Sequence, residues 1–240
     1  MDSNSIKTQL RSENSAQSEV GPPNPFVVKA ISYIRRLGGW NRAVRSQKIA
    51  DQGCGRLRHL KIFRQYFKHI ALIDTELQLS RIRDSHRSLG STSRRVSRKT
   101  CDGICLFNSE SFAQSRLHLD AIFCACVFDV VPPTIRSRII AAAARNLKKN
   151  GFYCVVIPRN DQSITVRCSS RNRYKDGHVF PRGRTFTFYA NFANGSPSLG
   201  KLRRQLTEAG FRKAADLSVR RQVCLILQKS MTAEHRHQKS

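Results

Sequence analysis

Lys48-Ile-Ala-Asp-Gln-Gly-Cys-Gly-Arg-Leu-Arg-His-Leu60 decides the fold. A short apolar run ends in an acid, Asp51, after which Gly53 and Gly55 flank Cys54 and a segment able to form a helix begins. That is the order of a strand turning tightly into a helix beneath a ligand. Glycine at 53 and 55 lets the backbone take conformations closed to other residues and lets a ligand approach closely. A glycine pair also suits an ordinary surface turn, so the rest of the chain separates the two readings.

Downstream, residues 57–67 read as a helix, and Ile70-Ala-Leu-Ile-Asp-Thr75 is a second short apolar run tipped by an acid. Asp74 lies 23 residues beyond Asp51. In a β-α-β unit an acid at the tip of the second strand is placed to accept both hydroxyls of a ribose while the first turn holds the rest of the ligand. Upstream, Asn24 and Pro25 supply a cap and a first-turn proline. Val27, Val28, Ile31, Ile34 and Leu37 then recur at helical spacing up to Gly38-Gly39.

Further strands are predicted at 103–107, 119–127, 152–157, 211–217 and 222–227, and helices at 133–147 and 199–209. The fourth strand is almost wholly apolar, as expected of a strand covered on both faces. Alternating strands and helices predict an α/β fold with a parallel sheet and right-handed crossovers. The pattern lapses over 160–198, where Arg167, Arg171, Arg173, Lys175, Arg182 and Arg184 interleave with Tyr174, Phe180, Phe186, Phe188 and Tyr189. The domain organisation expected is a disordered polar tail over 1–23, one domain over 24–230 with a basic and aromatic insert at about 160–198, and a polar tail over 231–240. No internal repeat is present.

Of the 240 residues, 43 are Lys or Arg and 16 are Asp or Glu, a net charge of +27 that favours anionic partners. Nucleic acid is the first candidate and an anionic membrane surface the second; a basic solvated surface without a polyanionic partner is the plain alternative. No apolar run reaches the roughly 18 residues of a membrane span, and no signal peptide is evident, so a soluble, cytoplasmic protein is expected. The eight cysteines lack the paired spacing of a zinc site. Reduced thiols and no metal are expected.

With these residues in hand, the chain resembles the class I S-adenosylmethionine-dependent methyltransferases over roughly residues 26–228. Asp51-Gln-Gly-Cys-Gly55 is similar to that family's first motif, and Asp74 to its ribose-binding acid. Leu119-Asp-Ala-Ile with Cys124-Ala-Cys-Val-Phe-Asp-Val-Val-Pro132 is similar to its fourth-strand motif. Asn146-Leu-Lys-Lys-Asn-Gly151 resembles the turn before the fifth strand, and Leu206-Thr-Glu-Ala-Gly-Phe211 the approach to the sixth. The resemblance implies a three-layer Rossmann-like sandwich: a mostly parallel seven-stranded sheet, helices on both faces and an antiparallel last strand. It implies S-adenosyl-L-methionine as cofactor, with Asp51, Gly53, Cys54 and Gly55 around the methionine moiety and Asp74 on the ribose. Glu110 falls near the adenine amine, with Ser111 adding its backbone N–H, and Cys124 lines the pocket near the methionine amino group. Leu57 stands where many family members have a further glycine.

The sulfonium methyl is already electrophilic, so such an enzyme needs mainly to align an acceptor in line with it, exclude water and remove a proton where the acceptor carries one. Asp129, just past the fourth strand, and His178, in the insert, are the candidate bases. Val131-Pro-Pro-Thr134 lacks the acid or amide and the aromatic residue of the motif in amino-group nucleic-acid methyltransferases, and reads as the start of a helix. The insert's arginines and aromatics are suited to phosphates and stacked bases, although a β-hairpin covering the sheet leaves the same pattern. The leading expectation is a methyltransferase acting on nucleic acid. A small-molecule methyltransferase and a non-catalytic nucleic-acid-binding protein on the same fold are the alternatives.

Overall fold

Asn24 opens the first helix as its sequence demands. In the computed structural model, which describes residues 22–40, 46–85, 103–158, 173–174, 177–182, 185–190, 192 and 196–230, its Oδ1 accepts from the Phe26 N–H at 2.9 Å. Helix α1 spans Pro25–Leu37 and buries Val27, Ala30, Ile31 and Ile34. Strand β1 (Lys48–Gln52) follows, then α2 (Leu60–Tyr66), β2 (His69–Asp74), α3 (Glu76–Ser85), β3 (Ile104–Asn108), α4 (Ser109–Gln114) and β4 (Leu119–Ala125). Helix α5 (Pro133–Asn146) leads into β5 (Leu147–Pro158), and the insert contributes β6 (Arg173–Tyr174), β7 (Gly177–Arg182) and β8 (Thr185–Ala190). Helix α6 (Pro197–Glu208), β9 (Phe211–Asp216) and β10 (Gln222–Lys229) complete the order.

Seven strands form one sheet in the order β3-β2-β1-β4-β5-β10-β9. The first five are parallel, and β10 runs antiparallel to both of its neighbours. Strand order reverses between β1 and β4, and in sheets of this kind the crevice outside the carboxyl ends at the reversal is where ligands bind. One apolar cluster joins the sheet to α1, α2 and α3 through residues such as Ile31, Phe63 and Leu79. A second joins its other face to α4, α5 and α6 through Phe112, Ile140 and Leu199. The result is the three-layer arrangement expected from the sequence, with helices on both faces and an antiparallel last strand.

Several boundaries move for identifiable reasons. Helix α2 starts at Leu60 rather than 57 because Gly55 and Leu57 both take left-handed backbone conformations, with φ of 52° and 63°. Strand β5 starts at Leu147, paired with Leu119, and the chain bulges through left-handed Asn150 before the regular ladder begins at Phe152 opposite Ala121. The short helix α4, absent from the sequence reading, is capped by Asn108, whose Oδ1 accepts from Ser111 N–H at 2.7 Å. The described strands of the insert form a three-stranded antiparallel sheet, in the order β6-β7-β8.

Buried Asn146 locks the layer beneath β4. Its amide donates to the carbonyls of Phe112 and Ala142, while its Oδ1 accepts from Ser115 Oγ at 2.8 Å and Leu117 N–H at 3.0 Å. Every hydrogen-bonding position of that side chain is filled, which fixes α4 and α5 relative to the start of β4. No helix among the described residues is long and apolar enough to cross a membrane.

Candidate functional site

The tips of β1, β2 and β3 are stitched together by polar contacts. Asp74, last residue of β2, accepts the Gly55 N–H at 2.8 Å through Oδ2 and the Thr75 N–H at 2.8 Å through Oδ1. Gln78 at the start of α3 donates to the Gly55 carbonyl at 3.0 Å, and Ser109 Oγ donates to the Asp74 carbonyl at 3.2 Å. The N–H groups of Gly53 and Cys54 both point to the Ile73 carbonyl. The glycine turn is therefore clamped to the second acid-tipped strand. A carboxylate has about four acceptor sites, so Asp74 retains capacity beyond its two N–H partners. Burial is the largest influence on its carboxyl and raises its pKa, with the two N–H donors opposing.

A second acid stands nearby. Glu76 is committed to Arg83 and to the Asn108 amide, chiefly the former, and these hold its pKa below the ordinary value. Both carboxylates keep acceptor sites beyond these partners, and of the two it is Asp74 that is tied to the glycine turn. Glu110 sits exposed in the first turn of α4 on the same edge, beside Ser111. The Ser111 N–H proposed for a ligand is occupied by Asn108 Oδ1.

Gly53 has a φ of 80°, and a Cβ added there would lie 2.2 Å from Val127 Cγ2. Both facts demand glycine. The methyl comes from the segment after β4, where Cys126 is also left-handed, with φ of 59°. Asp51 is buried beneath the turn; its Oδ2 lies 3.7 Å from His59 Nδ1 and, among the described residues, has no hydrogen-bond partner. His59, which caps the approach to α2, was not singled out by the sequence, where nothing distinguishes it from a surface histidine.

Cys54 and Cys124 are both buried, and desolvation pushes both thiols up. Cys124 lies within β4 in contact with Tyr153, whose hydroxyl donates to Gln52 Oε1 at 3.0 Å. The Gln52 amide in turn donates to the Ile139 carbonyl of α5 at 3.2 Å. The half-buried cysteine at the strand's tip is Cys126, its thiol raised to about 12 mainly by desolvation.

Asp129 belongs to the same edge. It is buried, its Oδ1 has no hydrogen-bond partner among the described residues, and burial lifts its carboxyl to about 6 against the opposing charge of Arg136. Arg136 is fully buried in α5, with Nε donating to the carbonyls of Phe128 and Val131 at 2.9 and 3.0 Å. Its guanidinium lies over the Phe192 ring at 4.9 Å. Ala190, last residue of the insert's sheet, donates its N–H to the Asp129 carbonyl at 2.8 Å. The insert is thereby anchored to the loop that follows β4. Arg136 escaped the sequence reading because its apolar helix context suggested only an exposed charge. His178 lies on β7 opposite Tyr189, in register with Arg173 on β6; its side chain is outside the described residues.

Among the described residues, no group of three or more His, Cys, Asp or Glu is placed to hold a metal ion. No protein-family model and no curated protein matches the chain. Solved structures do. An S-adenosylmethionine-dependent methyltransferase from Methanosarcina mazei aligns with a TM-score of 0.55 at 18% identity, over 81% of this chain and 97% of that one. Magnesium protoporphyrin IX methyltransferase from Synechocystis PCC 6803, with bound SAH, aligns at 0.54 and 15% identity over 85% and 82%. The 1,6-didemethyltoxoflavin-N1-methyltransferase of Burkholderia thailandensis aligns at 0.53 and 12% identity over 85% and 78%. Together with the strand order and the acid-tipped β1 and β2, these likenesses establish that the chain has the Rossmann-like fold of the class I S-adenosylmethionine-dependent methyltransferases.

Proposed function

We propose that this protein is an S-adenosylmethionine-dependent methyltransferase and that its cofactor site is the edge built from Asp51, Gly53, Cys54, Gly55, Asp74 and Glu110. The observation that carries the reading is the clamp between Gly55 and Asp74: a half-buried carboxylate at the strand tip, tied to the glycine turn and with acceptor sites left for hydroxyl donors. Residue types and chain order fit the cofactor. Asp74 would receive ribose hydroxyls, exposed Glu110 would meet the adenine amine, and the bare backbone of the glycine turn would face the methionine moiety. Cys124, assigned to the methionine end, is buried within β4, and half-buried Cys126 just beyond that strand would stand closer to the pocket. Bound, the cofactor supplies an electrophilic methyl.

The chain's own residues then position the acceptor and take its proton. Asp129 is the base that the arrangement favours. With a carboxyl near 6 it is largely ionised at neutral pH yet more basic than an ordinary aspartate, and the insert is fastened to its own backbone. The net charge of +27 supports a nucleic-acid acceptor. A small-molecule acceptor is the second reading. It is favoured by two of the similar structures, which bear the names of a magnesium protoporphyrin IX and a 1,6-didemethyltoxoflavin methyltransferase.

Transfer of labelled methyl from S-adenosylmethionine to separated RNA, DNA, protein and metabolite fractions tests the proposal. Label in RNA or DNA supports the leading acceptor class, and label in the metabolite fraction supports the second. Label in none of the four, from protein shown to be folded, sinks the catalytic reading and leaves the non-catalytic nucleic-acid-binding alternative.

A further inference from the structure

The opposite edge of the sheet, where the parallel strands begin, carries a different chemistry. Strand register places His69, Lys48, Asp120, Lys148, Gln228 and Arg212 in sequence along it. Lys48 N–H and Lys148 Nζ bind the two oxygens of Asp120, at 2.7 and 2.8 Å, and Arg212 donates to Gln228 Oε1 at 2.7 Å. Exposed Lys68, Arg116, Arg145 and Lys149 stand at the element ends around this row, and α1 brings Arg35 and Arg36 to the same edge. Among the described residues, Asp120 and Glu208 are the acids here, and Asp120 is already paired with Lys148. Asp51, Asp74, Glu76, Glu110 and Asp129 all lie on the carboxyl edge instead.

Cations in the last turn of a helix are favoured by its dipole, which accounts for Arg35, Arg36 and Arg145. It does not account for Lys48, Lys148, Lys149 and Arg212, which sit on strands. Lys148 is paired with Asp120, and the cations in excess of that pair repel one another, a cost that a bound polyanion would reduce. At the centre of this edge is an open cavity of about 270 Å³, lined by Gly38, Trp40, Asp120, Lys148, Lys149 and Asn150 among others. Trp40 is held edge-on against Phe67 and Phe152, and Gly38 lies against its indole so closely that a Cβ there would stand 2.5 Å from Nε1. The cavity opens onto a row of cations. That combination of a positive track and an aromatic wall suits a nucleotide unit of a longer strand.

We infer that the amino edge of the sheet is a docking surface for a single-stranded nucleic acid, whose phosphates run along Lys48, Lys148, Lys149 and Arg212 and one of whose nucleotides enters the cavity beside Trp40. The inference goes beyond methyl transfer and does not depend on it, because this surface faces away from the proposed cofactor edge. Its test uses no cofactor, so failure of one reading is distinguishable from failure of the other.

Trp40 is the sole tryptophan of the chain, so intrinsic tryptophan emission reports on this cavity alone. The full-length protein is titrated with single-stranded RNA, single-stranded DNA and anionic phospholipid vesicles, following Trp40 emission, and anisotropy of the labelled strands over a range of salt. The expected result is a change in Trp40 emission with RNA or DNA and steep weakening with salt. In the Lys148→Gln/Lys149→Gln variant the log–log salt slope should be shallower by about 1.4, at about 0.7 for each phosphate that is no longer neutralised, and affinity at least about tenfold lower. Arg35→Gln/Arg36→Gln, whose side chains pack on Tyr66 and Tyr33, serves as a second variant with a smaller loss, should the lysine pair disturb folding. Vesicle binding with no strand binding overturns the inference, as does strand binding that leaves Trp40 emission and the salt slopes of both variants unchanged.

Discussion

Replacing Gly53 by alanine tests the construction of the turn at one atom. The residue has a φ of 80°, and its new Cβ would meet Val127 Cγ2 at 2.2 Å. The left-handed conformation costs an L-residue about 1 to 2 kcal/mol, and forcing a methyl into filled space adds about 1 to 3 kcal/mol. The expected loss is therefore about 2 to 5 kcal/mol, a large share of the about 5 to 15 kcal/mol that holds a typical domain. In a chain of this size it should lower the melting temperature by on the order of 10 °C. Val127→Ala alone removes a half-buried methyl pair and costs about 1 to 2 kcal/mol. In the double variant the clash disappears while the backbone strain remains, so its loss should fall short of the summed single losses by about 1 to 3 kcal/mol. Urea unfolding of the four proteins of this cycle supplies the numbers. Additivity within about 0.5 kcal/mol would mean that the two residues do not touch, and the description of the turn would be wrong.

Three further perturbations address its surroundings. Leu57→Gly relieves a φ of 63° but removes a buried side chain; because burial is worth about 1.5 to 3 kcal/mol against about 1 to 2 kcal/mol of strain, equilibrium unfolding should show net destabilisation, and a gain in stability would contradict this. Tyr153→Phe leaves the buried Gln52 Oε1 without its donor at 3.0 Å and should cost about 1 to 3 kcal/mol in the same assay. Asp129 titrates near 6 in the folded protein and near 4 when unfolded, so the native state binds the extra proton between those values. Its contribution to stability is fully present below about pH 4 and lost as pH rises through about 6. Asp129→Asn should accordingly flatten the stability profile over that window and be more stable than the parent at neutral pH, by about 3 kcal/mol at most. An unchanged profile would show that Asp129 is not held in a desolvated place.

Much of this arrangement is legible in the chain. Local rules were sufficient where one residue decides an outcome: Asn24 with Pro25 starts α1, and acids stand at the tips of β1 and β2, whereas Asn150-Gly151, read as the stop of the preceding helix, lies inside β5 because that helix already ends at Asn146. What escaped depends on partners distant in sequence. Gly53 is required by a methyl 74 positions away in Val127, and Asn146 by a helix and loop some 30 residues upstream. Buried Arg136 donates through Nε to carbonyls of the loop that precedes its helix and is covered by the ring of Phe192. Leu57 is discordant as a motif residue because packing won over backbone preference: its side chain fills the α1–α2 core while its backbone takes the conformation a glycine would have taken. The basic amino edge is invisible in the sequence because its row is assembled from six strands and its further cations from several element ends.

The central claim, that the carboxyl edge at Asp74 holds S-adenosylmethionine, is tested most directly by calorimetric titration of the full-length protein with that compound. The parent should bind one equivalent, and Asp74→Ala, shown to be folded by its melting curve, should bind at least about tenfold more weakly, as expected for loss of a charged acceptor worth about 1.5 to 3 kcal/mol. No binding by the folded parent, or equal binding by the variant, would contradict the account.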